Sequence, residues 1–228
     1  MTQVEPIQQK VDIGDSESVT ALLYPASQRE RKGVTILLGH GAGADQFSGF
    51  MRMVANGFAG RGLDAMTFNF LYKEKRKSVP DPKNRLESCY RAVIDAAIKN
   101  KKLKGNRLVI GGKSMGGRIA SQVAAAEGAR VAGLVFLGYP LHPPGRPDKL
   151  RDEHLKEIEA PMLFCQGSRD AFGTEEEIKA IIKKHRLPAT LYVIASGDHS
   201  FKVPKSVKPQ EQVHEDVMDE VTRWCAGI

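Results

Sequence analysis

The sequence lacks the features that mark membrane-spanning and secreted proteins. The longest apolar run, Val131–Leu141, falls short of the roughly 20 residues that span a bilayer, and it contains two glycines and a proline. The amino terminus, MTQVEPIQQK, has no apolar segment of the kind that a secretion signal needs. We therefore expect a cytoplasmic protein that does not work in a membrane.

Cysteine is also scarce. The chain has three, Cys89, Cys165 and Cys225, an odd number without the CxxC or Cys/His spacing of a zinc site. Neither a disulfide framework nor a metal centre is indicated, and we expect reduced, structural thiols. For the chemistry indicated below we also expect no organic cofactor.

The overall composition is that of a folded, globular protein. Of the 228 residues, 41% are hydrophobic and 27% are charged, and 22 Gly and 12 Pro are spread along the chain. These values exclude collagen-like, low-complexity and strongly disordered proteins. The length, together with the lack of a Pro/Gly/Ser-rich linker, predicts a single domain over residues 1–228.

The chain is basic, with a net charge of +7 from 34 Lys+Arg and 27 Asp+Glu. The excess lies in short clusters, at Arg29–Lys32, Lys73–Lys77, Lys99–Lys104 and Lys183–Arg186. Because no basic helix with interleaved aromatic residues accompanies them, nucleic acid is not an expected partner.

From Thr35 onward, short β-branched runs alternate with longer stretches of helical periodicity. This pattern is typical of an α/β protein, a mostly parallel sheet with helices on both faces. Eight strands are predicted, at Val4–Val11, Ser18–Tyr24, Val34–Gly39, Asp64–Asn69, Arg107–Gly111, Val131–Leu137, Pro161–Gln166 and Leu191–Ala195. The first two are predicted to be antiparallel, joined by a Gly14–Asp15 turn. Five main helices are predicted, at Phe47–Gly60, Pro82–Asn100, Met115–Glu127, Thr174–Lys184 and Pro209–Trp224.

The most informative segment is a Gly-x-Ser-x-Gly motif centred on Ser114, between Gly112 and Gly116. An apolar strand precedes it and an Ala-rich helix follows, which is the context of a nucleophile elbow. In such an elbow the serine occupies a strained strand-to-helix turn, so the residues two before and two after it must lack bulky side chains. Ser114 is therefore the predicted nucleophile.

Two backbone N–H groups are expected to stabilise negative charge beside Ser114. The first is that of Met115, at the start of the helix. The second should come from the small-residue loop after the third strand, where Ala42 is the preferred donor and Gly41 the alternative. His40 precedes this loop at the end of a buried strand, and we expect it to hold the loop rather than to act as a base.

A serine nucleophile needs a base, itself oriented by a carboxylate, and on this kind of sheet the chain order is Ser, then acid, then His. Asp170 follows the seventh predicted strand, and His199 follows the eighth. Both therefore lie beyond carboxyl ends of strands, the edge where open α/β sheets bind ligands. Asp198 is a rival acid, but as the backbone neighbour of His199 it is badly placed to reach the imidazole.

At these residues the sequence resembles the α/β-hydrolase superfamily. More narrowly it is similar to a small capless family that includes testis-expressed protein 30, the hydrolase-like domain of a non-specific-lethal complex subunit, and bacterial relatives labelled dienelactone-hydrolase-like. The segments that carry this resemblance are Phe68–Tyr72, Gly138–Gly145, Gln166–Gly173 and Gly197–Phe201. The resemblance implies an α/β-hydrolase fold and a serine-hydrolase site. True dienelactone hydrolases use a cysteine at the position of Ser114.

The expected reaction is hydrolysis of a small-molecule carboxylic ester by Ser114, His199 and Asp170 through an acyl-enzyme. A serine peptidase or a thioesterase would use the same residues. An interaction module that keeps the hydrolase fold, with weak or no catalysis, is the alternative from another class. The pattern does not fix the natural ester or the oligomeric state.

The segment between Gly138 and Ala160 is too short for a cap domain, so the site is expected to be open. Its Pro-rich first part is either a wall of the substrate pocket, with Tyr139 and His142 as candidates, or a stiff connector. Lysines follow the fourth and eighth strands, at the predicted ligand-binding edge. They raise the hypothesis that an anionic substrate is steered to the site.

Overall fold

The computed structural model describes residues 4–127 and 131–228 of the chain. Its strands are β1 (Ile7–Gly14), β2 (Glu17–Tyr24), β3 (Val34–Gly39), β4 (Asp64–Phe68), β5 (Arg107–Lys113), β6 (Gly133–Leu137), β7 (Met162–Gly167) and β8 (Ala189–Ile194). They form one eight-stranded sheet in the order β1-β2-β4-β3-β5-β6-β7-β8.

The sheet is mixed but mostly parallel, as predicted. The hairpin of β1 and β2 is antiparallel, β2 joins β4 antiparallel, and β3 to β8 run parallel to one another. Strands β3, β4, β6 and β7 are buried along their whole length. Parallel strands covered on both faces have this continuously apolar character, which explains why their runs are easy to find in the sequence.

Six α-helices lie within residues 4–127 and 131–228, namely α1 (Gly49–Ala59), α2 (Leu71–Glu74), α3 (Lys83–Lys99), α4 (Met115–Glu127), α5 (Glu175–His185) and α6 (Gln210–Gly227). Helices α3, α4 and α5 contribute to one core cluster, and α1 and α6 to the other. The clusters lie on opposite faces of the sheet, since Ile110 belongs to the first and its strand neighbour Val109 to the second. Helices on both faces are thus confirmed.

The amino-terminal hairpin differs from the prediction by three residues. Strand β1 starts at Ile7 rather than Val4, because Pro6 has no N–H for a strand ladder and the Val4 N–H instead donates to Asn56 Oδ1 at 2.8 Å. Gly14 pairs with Glu17. The turn is therefore centred on the two residues between them, one position later than predicted.

The carboxyl ends of the parallel strands meet at one edge of the sheet, and the segment from β6 to β7 starts at that edge. It contains only a short 3-10 helix, Glu153–Glu157, and no cap domain. Within residues 4–127 and 131–228, no helix has the length and apolar character needed to cross a bilayer.

Candidate active site

Ser114 occupies the sharp turn between β5 and α4. Its φ is 52°, a left-handed conformation that is strained for a residue with a side chain. A Cβ on Gly112 would lie 2.2 Å from the Gly39 carbonyl oxygen, and a Cβ on Gly116 would lie 2.1 Å from the same atom. The two flanking glycines are therefore needed because the elbow packs directly against the end of β3.

Three predicted side chains meet at this turn. His199 Nε2 lies 2.8 Å from Ser114 Oγ, and His199 Nδ1 lies 2.7 Å from Asp170 Oδ2. Because a carboxylate only accepts hydrogen bonds, Nδ1 carries the imidazole proton and Nε2 is free to accept from the serine hydroxyl. The side chain of Asp170 is fully buried, whereas that of His199 is 21% exposed. The arrangement can move a proton from the serine to a ring that a substrate can reach.

Asp170 is held from both of its carboxylate oxygens. The Phe172 N–H donates to Oδ1 at 2.8 Å, and Gln166 Nε2 donates to Oδ2 at 2.9 Å. Gln166 is itself fully buried and also donates to the Gly173 carbonyl at 2.7 Å. These bonds leave the carboxylate one orientation, the one that faces His199.

The loop that carries His199 is shaped by its neighbour Asp198. Asp198 Oδ1 accepts the N–H groups of Ser200 and Lys202, at 2.8 and 2.9 Å. The rival carboxylate therefore folds the loop, and Asp170 is the one bonded to the imidazole. The ring of Phe172 packs against the imidazole of His199, with centroids 4.2 Å apart and planes at 31°.

His40 lies at the end of β3, fully buried, and has two backbone partners. The Phe70 N–H donates to Nε2 at 3.1 Å, so the ring proton is on Nδ1, which donates to the Gly41 carbonyl at 2.8 Å. Burial lowers the pKa of His40 to about 4, so the ring is neutral at physiological pH. His40 thus holds the loop, as expected. Both of its ring nitrogens are bonded to the main chain, so neither is bonded to Asp170 or Ser114.

The contacts of His40 also orient the peptide between Gly41 and Ala42. The Gly41 oxygen is turned towards His40, and in a trans peptide the N–H points the opposite way. The Ala42 carbonyl is in turn held by the Tyr72 hydroxyl at 2.8 Å. A Cβ on Gly41 would be 3.7 Å from Ser114 Cβ. The loop therefore lies against the nucleophile with the Ala42 N–H directed away from the buried histidine.

A pocket of about 430 Å³ lies beside the nucleophile. Its lining includes Gly41 of the loop after β3, and Lys113 and Ser200, the neighbours of Ser114 and His199. Phe50 and Met53 of α1 supply apolar walls, and the cations of Lys113 and Lys202 lie on the same lining. A larger cavity, of about 610 Å³, is at the other end of the sheet, around the first residues of β5, and is remote from this chemistry.

Tyr139 and His142 do not lie where a substrate could touch them. Tyr139 has no accessible surface, packs against Phe136 and Phe164, and donates its hydroxyl to the Arg151 carbonyl at 2.9 Å. His142 is 5% exposed. The expectation that they form a pocket wall is corrected: the segment after β6 turns these side chains inward, and the walls come from α1.

Among the residues that the structure describes, one group of side chains has the chemistry of a metal site. Ligand atoms of Asp152, Glu153 and His185 lie within 4.8 Å of one another. Lys184 Nζ, however, donates to both carboxylates, at 3.0 and 3.1 Å. The cluster is explained as an ion-pair network between the segment after β6 and the end of α5.

Three residues that the sequence reasoning did not single out belong to the site. Gln166 and Phe172 hold Asp170 and His199, and Lys113 Nζ donates to the His199 carbonyl at 2.6 Å. Gln166 and Phe172 fall inside a segment that resembles the hydrolase family, so their place near the acid was readable. Lys113 had no such signal beyond its position next to the serine.

Comparison with known proteins gives one family. A family model described as an α/β-hydrolase domain matches residues 32–226, most of the chain. The matched range includes the elbow, the loop after β3 and the strand ends that carry the acid and the histidine.

Solved structures with similar folds include enzymes and serine-hydrolase relatives. A dienelactone hydrolase from Anabaena variabilis is 21% identical, with a TM-score of 0.74 over 98% of this chain and 97% of that one. A lidless serine hydrolase from Xanthomonas campestris is 17% identical, with a TM-score of 0.73 over 96% and 95%. Est1E from Butyrivibrio proteoclasticus, solved with ferulic acid bound, is 17% identical, with a TM-score of 0.72 over 93% and 99%. At these identities the likeness establishes the capless fold.

Proposed function

This chain belongs to the α/β-hydrolase domain family, and we propose that it is a serine hydrolase that cleaves a carboxylic ester, as a carboxylesterase does. One fold hosts many activities, so the proposal depends on the site. The observation that carries it is the continuous hydrogen-bonded series of Ser114, His199 and Asp170, with links of 2.8 and 2.7 Å. A serine hydroxyl becomes a strong nucleophile when a base oriented by a carboxylate takes its proton.

In the first half of the reaction, His199 Nε2 takes the hydroxyl proton as Ser114 Oγ attacks the ester carbonyl. Asp170 holds the imidazole and stabilises its cation. The tetrahedral intermediate then collapses, the alkoxide leaves with the proton from His199, and the acyl group stays on Ser114. In the second half, His199 takes a proton from water, the hydroxide attacks the acyl-enzyme, and the proton returns to Ser114 Oγ as the acid leaves.

Two N–H groups are assigned to the oxyanion. Met115 is the first residue of α4, where an N–H has no partner within the helix. Ala42 is preferred over Gly41 because the bond from His40 to the Gly41 oxygen directs the Ala42 N–H away from the buried ring. Removal of one such donor slows acyl transfer by about a hundredfold or more. All of these groups belong to the protein, so the reaction needs neither a metal nor an organic cofactor.

The substrate is proposed to be a small ester with an apolar part. The pocket of about 430 Å³ has apolar walls from Phe50 and Met53, and each buried CH₂ group contributes about 0.8 kcal/mol to binding. The ferulic acid in Est1E is an aromatic acid bound to a protein of the same fold. Lys113 and Lys202 on the pocket lining support the hypothesis of an anionic substrate.

Within the hydrolase family we place the chain with the capless relatives that include testis-expressed protein 30. The segments that carry this resemblance also build the site. Phe70 and Tyr72 hold the loop of His40, Gly138 packs beneath His199, and Gln166 binds Asp170.

The test is hydrolysis of a p-nitrophenyl ester series, acetate to octanoate, by the wild type and by Ser114→Ala, with fluorophosphonate labelling of both. We expect wild-type turnover and labelling, both lost in Ser114→Ala, and an optimum chain length that the pocket sets. A matched pair of esters, one neutral and one with a distal carboxylate, tests steering: only the anionic ester should lose kcat/KM as salt is raised.

If the wild type neither turns over esters nor reacts with the fluorophosphonate, the proposed function is wrong, and a binding role of the hydrolase fold takes its place. If it labels but hydrolyses only thioesters or peptides, the nucleophile is right and the leaving group is wrong. Unchanged ester turnover in Ser114→Ala would overturn the assignment of the nucleophile.

A further inference from the structure

The side chain of Lys113 reaches the backbone of His199, the residue proposed as the base. Lys113 is the last residue of β5 and immediately precedes Ser114. Its Nζ donates to the carbonyl oxygen of His199 at 2.6 Å, across 86 residues of sequence. The ammonium therefore joins the strand that carries the nucleophile to the loop that carries the histidine.

Two further residues close the space around this ammonium. Its Nζ lies 5.3 Å from the centre of the Phe201 ring, a cation–π distance. A Cβ on Gly138 would be 2.9 Å from Nζ and 3.2 Å from the His199 oxygen. Gly138 also has a φ of 71°, which favours glycine. The site thus leaves room for the lysine to reach His199.

The loop held by this bond is strained. Phe201 has a φ of 62°, in the left-handed region, although it carries a bulky side chain. Such a conformation persists only where surrounding contacts determine it. On this loop those contacts include the two bonds accepted by the Asp198 side chain, the bond from Gln210 Nε2 to the Phe201 carbonyl at 2.9 Å, and the bond donated by Lys113.

Titratable groups from several parts of the fold lie near Lys113. Asp170 lies after β7, and Asp198 lies in the same loop as His199; both carboxylates favour the ammonium. Lys202 and, from α6, His214 share the pocket lining with it. Burial outweighs the carboxylates and lowers the pKa of Lys113 to about 8, from the usual 10.5.

We propose that Lys113 is a positioning residue for ester hydrolysis: its ammonium fixes the main chain of His199, which keeps the imidazole aligned between Ser114 and Asp170. The inference rests on the proposed function. The hydrogen bonds of the two ring nitrogens orient the imidazole, and the bond from Lys113 fixes the position of the His199 main chain. A displacement of the base by about 1 Å can slow an enzyme by about a hundredfold, so a small loosening of this loop matters.

The experiment compares the wild type with two variants. Lys113→Met keeps the approximate length of the side chain but loses its charge and its N–H donors, whereas Lys113→Arg keeps a positive charge and N–H donors. Lys104→Met, an exposed lysine at the other end of the sheet, is the matched control. Three quantities are measured: kcat and KM for the best p-nitrophenyl ester, the dependence of kcat on pH, and the low-field NMR signal of the His199 Nδ1 proton. The NMR signal needs no substrate and is assigned with His199→Asn.

For Lys113→Met we expect kcat to fall roughly tenfold to a hundredfold, KM to stay within about threefold, and the Nδ1 proton signal to broaden. Lys113→Arg should recover part of kcat. In the wild type kcat should fall above pH about 8, because the neutral amine is a weaker donor than the ammonium. In Lys113→Arg this decline should move to higher pH, since a guanidinium stays charged.

The proposal is overturned if Lys113→Met matches Lys104→Met in kcat, pH profile and Nδ1 signal. If Lys113→Met does not fold, Lys113→Arg decides: an unchanged alkaline decline overturns the proposal, and a shifted one supports it. If the wild type hydrolyses no ester, the proposed function has failed, and the NMR comparison alone decides whether Lys113 holds His199.

Discussion

The backbone of Gly116, in the first turn of α4, lies against the backbone of Gly39 at the end of β3. A Cβ on Gly116 would be 2.1 Å from the Gly39 oxygen and 2.3 Å from its carbonyl carbon. Neither partner can move aside as a flexible side chain can, because both are main chain. This contact fixes the distance between the elbow that carries Ser114 and the loop that follows Gly39, which supplies the proposed second oxyanion donor.

Gly116→Ala should therefore destabilise the protein, although alanine favours a helix over glycine by about 0.5–1 kcal/mol. Forcing an atom into this contact is expected to lower the free energy of unfolding by about 2 kcal/mol. Urea unfolding measures it. Gly227→Ala is the control, because a Cβ there has no atom within 4 Å, and it should leave stability unchanged or slightly higher. Equal midpoints for Gly116→Ala and the wild type would refute the close contact.

The two aspartates near His199 should differ sharply on mutation. In Asp170→Asn the NH₂ group that takes the place of Oδ2 cannot accept from Nδ1, and the neutral side chain no longer stabilises an imidazolium, so kcat for ester hydrolysis should fall by about a thousandfold or more. The remaining oxygen, at the place of Oδ1, would still accept the Phe172 N–H, so the fold should survive, although Gln166 Nε2 loses its acceptor at Oδ2. The measurement is kcat by steady-state kinetics, with circular dichroism to confirm folding.

Asp198→Asn is the matched variant, because it makes the same chemical change one residue from the base. The bonds from Ser200 and Lys202 both go to Oδ1, and an asparagine oxygen can accept them. We expect kcat within about threefold of the wild type. A loss in Asp198→Asn as large as that in Asp170→Asn would mean that the acid was assigned to the wrong carboxylate.

Much of the fold could be read from the sequence because its central strands are buried on both faces. The prediction for Val34–Gly39 coincides with β3, and that for Met115–Glu127 coincides with α4. The amino-terminal strand was misplaced because β1 is an edge strand whose residues are mostly exposed, so its apolar pattern is weak. Its limits depend on the loss of an N–H at Pro6 and on the hairpin turn.

Ser114, Asp170 and His199 could also be singled out from the sequence, because each follows the end of a predicted strand at a turn. That placement does not depend on side-chain geometry. What could not be read was which side chains face the substrate. Tyr139 stands two residues after β6, and its ring fits between Phe136 and Phe164 rather than into the pocket. The hydrogen bond from Lys113 to the His199 carbonyl could not be predicted either, because it joins residues that are far apart in the sequence.

Because His40 is neutral in the folded protein, the free energy of unfolding should depend on pH. Nε2 accepts the Phe70 N–H and therefore cannot bind a proton without losing that bond. Burial is the largest cause that lowers the pKa of His40, to about 4 from the usual 6.5. His154, which lies 2.8 Å from Ser121 Oγ, has its pKa lowered to about 4 by burial as well.

A depressed pKa means that the unfolded chain binds a proton that the folded chain does not. Between pH 6.5 and about 4 the free energy of unfolding should therefore fall by about 1.4 kcal/mol per pH unit for each of these two histidines. Above pH 6.5 neither histidine contributes to the slope. Urea unfolding from pH 7 to 4.5 measures this for the wild type, His40→Gln and His154→Gln.

Each glutamine variant should have a slope shallower than the wild type by about one proton, whatever its stability at pH 7. The slope is the decisive quantity, because glutamine also disturbs the hydrogen bonds of each site and so lowers stability at every pH. An unchanged slope in His40→Gln would mean that the folded protein binds a proton on His40. The bond from the Phe70 N–H to Nε2 would then not exist as described, whereas the Nδ1 bond to the Gly41 oxygen, which orients the Ala42 N–H, could still form.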